Sequence, residues 1–300
     1  MSILALDPIL TRRAEVQQAA AASLRRRQWR SRIALGLCMA CVAISLVPLV
    51  AVVGYTIERG APIWSADFFS HVSTPEGIPG GGIWNSIMGS LIIDGIATAG
   101  SIPLGLAIGL FLAQSDSRTA GVIRFAADVM AGMPSIVVGI FAYGILVTTL
   151  HHFSAIAGSF GIGIIMLPII IRASEGAFRT VPKDLSEAAL SLGAKNAAVA
   201  RRVLLPTAAP GLFTAVLLAV ARGAGESAPL IFTAIGSQYF VANPLQPMAA
   251  MPLTIYLDGI QAYPELQQFA WGTGLLLLVV VLVLAATGRL AAARLGGGRK

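Results

Sequence analysis

The strongest constraint in this sequence occurs six times: an apolar run long enough to cross a bilayer. The runs cover about 33–57, 84–113, 121–149, 153–171, 208–235 and 268–288. About 20 apolar residues in a helix span the hydrocarbon core. Inside that core every backbone donor and acceptor must be satisfied by the chain itself, so only helices and closed barrels cross it. The runs are continuous and lack the alternation of barrel strands. The expected fold is therefore all-α, a polytopic membrane helix bundle with six transmembrane helices. Charged residues make up only 12% of the chain, where a soluble domain carries about 25%.

The basic residues set an orientation. Arg12, Arg13, Arg25, Arg26, Arg27, Arg30 and Arg32 precede the first run. Arg118 and Arg124 follow the second run, and Arg172, Arg179, Lys183, Lys195, Arg201 and Arg202 follow the fourth. Arg289, Arg294, Arg299 and Lys300 close the chain, while the opposite loops hold only Arg59. Basic loops stay in the cytoplasm, so both termini are expected there, in a bacterial inner membrane. The net charge of +7 follows from this topology and needs no nucleic-acid partner. Three regions result: a cytoplasmic basic arm over 1–32, a permease domain over 33–290 and a cytoplasmic tail over 291–300. The arm is helix-prone, with Trp29 placed for the head-group level. The first run is too long, and its arm too extended, for a cleaved signal. Trp64, Trp84, Tyr239, Tyr256 and Tyr263 are placed for the outer interface.

Several chemistries are excluded. Cys38 and Cys41 lie inside the first apolar run, where they read as small packing residues. His151 and His152 are adjacent in an outer turn, with no further ligands for a metal. The lysines, Lys183, Lys195 and Lys300, lie outside any G-x-x-x-x-G-K-[ST] sequence, so the chain has no P-loop. If ATP drives this protein, another polypeptide binds it, and no cofactor is expected in this chain.

Ionisable groups at bilayer depth are costly, at least ~2.5 kcal/mol each on insertion scales, and mark pathways or partners. Arg222 and Glu226 stand within the fifth run, one helical turn apart. They read either as an ion pair clamping helices or as part of an anion path, for which the guanidinium fork suits an oxyanion. Asp94 in the second run counts to a similar depth. It either contacts Arg222 between helices or faces a water-filled cavity. Arg172, at the cytoplasmic edge of the fourth run, either joins an inner vestibule or anchors the interface. Pro134 is expected to bend or open the third run, and Pro168 the fourth.

The longest cytoplasmic loop, 182–206, is a polar module between two oily segments. Pro182 suits a helix start, and Asp184 and Glu187 lie near that N-terminus. Leu185, Ala188, Ala189 and Leu192 share one face. Gly193 supplies a left-handed C-cap, and a second short helix is expected to end before Pro206. So short a unit needs something packed against it.

The spacing Glu187-Ala188-Ala189, three residues, Gly193, nine residues, Val203-Leu204-Leu205-Pro206 resembles the EAA loop of ABC-importer permeases, with Val203 in place of isoleucine. "RFAADVMAGMPSIVVGIFAYG" (Arg124–Gly144) and "ARGAGESAPLIFTA" (Ala221–Ala234) resemble the phosphate-importing members. "PMAAMPLTIYLDG" and "QQFAWGTGLLLL" resemble their PstA rather than PstC branch. The resemblance covers about residues 80–290. It implies the type I importer (MetI-like) fold and a path for inorganic phosphate in which Arg222 and Glu226 take part. It also implies docking of an ATPase on Glu187, Ala188, Ala189, Gly193, Leu205 and Pro206. The implied partners are a PstC-type permease, two copies of a PstB-type ATPase carrying ATP and magnesium, and a PstS-type periplasmic phosphate-binding protein. A sister permease for sulfate or molybdate is the alternative. A secondary transporter would show inverted repeats and broken helices in both halves, and an enzyme would show a catalytic constellation; neither pattern is visible in the sequence.

Overall fold

A computed structural model describes residues 8–75, 78 and 80–297, with side chains at Arg12, 27–75, 78, 80–291 and Arg294. The side chains of Arg13, Arg25 and Arg26, and all of Arg299 and Lys300, lie outside the described residues. The chain divides into two units, 1–55 and 56–300.

The described part of the first unit, from Pro8 on, is helical. Helix α1 runs Pro8–Gly60 without a break between arm and span, and contains Pro48. At 1.5 Å per residue it is about 80 Å long, far beyond the ~30 Å bilayer core. Cys38 and Cys41 are exposed on it and unpaired.

The second unit is the bundle. It contains α2 (Ala66–Ser70), α3 (Trp84–Gln114), α4 (Arg118–Gly132), α5 (Ser135–Ala142), α6 (Thr148–Leu150) and α7 (Ala155–Arg179). There follow α8 (Lys183–Ser191), α9 (Asn196–Val199), α10 (Leu205–Gly223), α11 (Ala228–Thr233), α12 (Met251–Gly259) and α13 (Pro264–Gly297). Among the described residues five helices are long and apolar enough to span a bilayer, or six if the bent pair of α4 with α5–α6 counts as one span.

The bend expected at Pro134 in the third run is present: the limbs Arg118–Gly132 and Ser135–Leu150 are bent by 104°. Met133 takes ψ 135° and Pro134 ψ 133°. A residue before proline avoids the helical region, and proline itself has no N–H to give. In the fourth run, helix α7 continues through Pro168 without interruption, so Pro168 does not open it.

The core lies where α3, α7, α10, α11 and α12 meet, around Ile93, Ile162, Met166, Ile170, Leu230 and Leu253. Lipid tails are as apolar as leucine, so membrane helices pack by closeness rather than by hydrophobic exclusion. Gly105 and Gly109 supply that closeness on α3. A Cβ on Gly105 would sit 2.6 Å from Ile170 Cγ2, and one on Gly109 would overlap Ser174. The Ser174 hydroxyl donates to Ile170 O at 2.6 Å and lies 3.2 Å from Gly105 O. Gly109→Leu is therefore expected to cost at least ~1–3 kcal/mol by overpacking. A fall in the thermal unfolding temperature of the purified permease measures it; an unchanged temperature would refute the close α3–α7 contact.

Candidate translocation path and coupling elbow

The fifth run is where the chain departs furthest from a simple span. Residues 196–223 form one continuous stretch through α9, a π-turn at Ala200–Leu204 and α10. The elbow's second helix thus does not end before Pro206. Pro206 has no N–H for the carbonyl four residues back, and its ring crowds that carbonyl. Widening the preceding turn lets the helix pass. Helix α10 then stops at Gly223, well short of 235. The segment Ala224–Ser227 is held by short turns: Ala224 N–H donates to Val220 O at 2.9 Å and Glu226 N–H to Gly223 O at 3.1 Å. Gly223 lies against Met166 and Ile162 of α7.

Arg222 is consequently in the last turn of α10, not in the middle of a helix. Its Nη2 lies 3.2 Å from Glu226 Oε1; the side chains are 60% and 17% exposed. A cation at a helix C-terminus also meets the negative end of the dipole. Gly223 packs at the level of Ile162 and Met166, about 10–16 Å along α7 from Ala155. Asp94 lies about 15 Å along α3 from Trp84, so the two groups share a depth. They do not pair. The Arg222 partner is Glu226, and the half-buried Asp94 carboxylate has no hydrogen bond or ion pair among the described residues. The expected interhelical Asp94–Arg222 contact is thus absent within the chain. Irregular backbone at membrane depth is tolerated where it is buried in protein or lines a watery cavity.

Arg172 is elsewhere and fully engaged. Its Nε and Nη2 grip Asp128 at 2.8 and 2.6 Å, and its Nη1 donates to Glu175 Oε2 at 3.1 Å. Glu175, whose side chain is 7% exposed, also takes Arg124 Nε at 2.8 Å and Arg179 Nη2 at 3.1 Å. Arg124 Nη2 reaches the carbonyls of Leu112 and Ser115 at 2.6 and 3.0 Å. This network, Arg172 included, ties the end of α3, α4 and α7 together. Its signal in the sequence was the helical spacing of Arg124 with Asp128 and of Arg172 with Glu175. Glu175→Ala would leave three guanidiniums around an empty pocket. Breaking a buried pair costs ~3–5 kcal/mol; with Arg172 and Arg179 half exposed, about 3 is expected. Denaturant unfolding in detergent measures it, and a loss below ~1 kcal/mol would show that the network is only decorative.

The elbow takes the expected form at its hinge. Helix α8 begins after Pro182, and Gly193 has φ +83°, a conformation that costs other residues ~1–2 kcal/mol. Ala189 turns inward onto the cluster of Phe178, Val181, Val199, Leu204 and Leu212. Leu185, Ala188 and Leu192 turn outward, Leu192 being 89% exposed. Glu187, Leu205 and Pro206 are also exposed. The buried anchors of the elbow are Val199 and Leu204, which the family spacing leaves unspecified; the place of Leu204 between two half-exposed neighbours carries no sequence signal.

The profile of a family described as "Binding-protein-dependent transport system inner membrane component" matches residues 101–297, spanning the elbow and Arg222. A phosphate transport system permease protein PstA of Yersinia pestis is 36% identical over 260 residues, 86% of this chain and 88% of that protein. The PstA of Xylella fastidiosa strain 9a5c is 40% identical over 232 residues, 76% of this chain and 80% of the relative. Among solved structures, the inward-facing MetNI methionine ABC transporter gives a TM-score of 0.59 at 20% identity, covering 71% of this chain and 95% of that one. A bacterial alginate ABC transporter in complex with an alginate-bound periplasmic protein gives 0.65 at 13% identity, covering 88% and 95%. The fold is that of the type I ABC importer permeases, and the chain is a multi-pass membrane protein. The chain belongs to the binding-protein-dependent transport inner-membrane components and, within them, to the PstA permeases of phosphate transport systems.

Proposed function

We propose that this chain is half of the translocation path of an ATP-driven importer of inorganic phosphate in a bacterial inner membrane, with both termini in the cytoplasm. The observation that carries the reading is the match to phosphate transport permeases over 260 residues, 86% of the chain. A PstC-type permease supplies the other half of the path. Two PstB-type ATPases bind and hydrolyse ATP with magnesium, and this chain holds no ATP site. A PstS-type periplasmic protein delivers phosphate, a reading supported by the family's own description.

In this reading Arg222 offers its fork to phosphate where α10 ends, and Glu226 keeps the guanidinium in place. The same carboxylate offsets part of the positive charge, so phosphate is held weakly enough to leave. Asp94, with no partner among the described residues, faces the path or the second permease. The face of Leu185, Ala188 and Leu192 seats in the ATPase, and closure of the ATPases rocks α10 through the continuous helix from Asn196.

The test is uptake of labelled phosphate by the four-component complex in proteoliposomes. ATP-dependent uptake that excess sulfate or molybdate does not suppress is expected. Uptake of sulfate or molybdate in preference, or uptake driven by an ion gradient without ATP, would overturn the assignment.

A further inference from the structure

Two adjoining recesses open on the face of the bundle that carries α2, α12 and the start of α13. The larger, about 290 Å³, contains Asp258 and Gln261. The smaller, about 220 Å³, contains Glu265 and Tyr263. They share Thr74, Leu266 and Phe269 as a common wall. The larger recess is built rather than incidental. Asn85, 2% exposed, donates from Nδ2 to Ser237 O at 2.8 Å and accepts on Oδ1 from Ser73 N–H and hydroxyl at 3.2 and 3.1 Å. One buried amide thus fixes two loops as opposite walls.

Each recess holds one carboxylate, and neither is lined by a basic side chain. The carboxylates of Asp258 and Glu265 have no hydrogen bond or ion pair among the described residues. Burial pushes Asp258 up to about 6, so at neutral pH it is ionised in a place that disfavours the charge. The imbalance is general on this side: segments 58–83 and 236–267 carry Glu58, Asp67, Glu76, Asp258 and Glu265 against Arg59. Such a face repels free phosphate.

The chemistry of the recesses narrows their occupant. An anion is repelled. A bound cation needs several oxygen ligands at 2.0–2.6 Å, and no cluster of three metal-ligating side chains exists among the described residues. A side chain ending in a cation complements the charge of both recesses. We propose that Asp258 and Glu265 form a twin receptor for two basic side chains, lysine or arginine, of the external phosphate-carrying protein. The inference rests on the transport reading above and adds the chemistry by which the carrier is held. Charge pairs of this kind govern encounter rate and choice of partner. They also confine phosphate entry to the docked carrier, because the bare face turns the free anion away.

The test uses the complete permease–ATPase complex in proteoliposomes and the purified phosphate-loaded carrier, at low and high sodium chloride. Asp258→Asn is expected to raise the carrier Kd and its apparent KM about tenfold with kcat kept, and Glu265→Gln to act in the same direction. The double variant should lose most of the salt dependence of binding. Asp258→Lys should bind worst, and a lysine-to-glutamate or arginine-to-glutamate change on the carrier should restore it. Unaltered Kd and salt dependence in the double variant would overturn the proposal while leaving the transport reading intact. Thermal stabilisation by calcium that Asp258→Asn abolishes, with docking unchanged, would make the recess a cation site and also overturn it. A wild-type complex that neither binds the carrier nor imports phosphate would overturn both.

Discussion

Arg222→Ala is expected to reduce ATP-driven phosphate uptake by about 10²–10³-fold while the permease, ATPase and carrier still assemble. The magnitude follows from losing two charge-assisted hydrogen bonds to an oxyanion, ~1.5–3 kcal/mol each before compensation. Assembly should survive because the Arg222 side chain is 60% exposed and its ion pair is with Glu226 of the same helix end. Partly exposed pairs contribute ~0–1 kcal/mol, so removing this one does not unpin two helices. Arg222→Lys should recover part of the flux, since it restores the charge without the planar fork. Labelled-phosphate uptake and co-purification of the ATPase, measured on one preparation, decide the matter. Loss of the complex together with the flux would return Arg222 and Glu226 to a structural ion pair.

The second large effect is expected at the elbow. Gly193→Trp should abolish both ATPase association and uptake, and Leu192→Glu should weaken association at least ~30-fold, the loss of a ~2 kcal/mol anchor. Two observations separate docking from simple damage. A Cβ on Gly193 would meet nothing within 4 Å, so a side chain there starts into open space. Its φ of +83° does charge any side chain a strain of ~1–2 kcal/mol, which Gly193→Ala bears equally. If alanine keeps the ATPase and tryptophan loses it, the difference belongs to the partner's surface. Full association in both variants and in Leu192→Glu would remove the elbow from the coupling role.

The sequence determined the environment and the outline. Six apolar runs and the spacing from Glu187 to Pro206 were enough for an all-α membrane bundle with a glycine-hinged elbow. These features are legible because lipid leaves the backbone few options and because Gly193 is needed at a left-handed position. Proline was legible only as a risk. Pro134 breaks its helix, Pro168 does not, and Pro206 is passed by a widened turn; the outcome depends on whether neighbours accommodate the lost donor.

Tertiary structure decided the pairings. Arg222 lies at a helix end because the chain breaks after Gly223, where α10 packs onto Ile162 and Met166. Asp94 shares its depth without sharing its charge, since depth follows from counting residues while contact depends on which faces of α3 and α10 the core turns together. Arg172 is drawn into a network with Asp128, Arg124 and Glu175 that a linear reading divides between two segments. Asp258 and Glu265 are single acids in the sequence. Asn85 ties the loops at Ser73 and Ser237 together, and the recesses that hold the two carboxylates share a wall at Thr74, Leu266 and Phe269. Helix and membrane are local consequences of solvent and periodicity, whereas a site requires distant residues to meet, and only packing can bring that about.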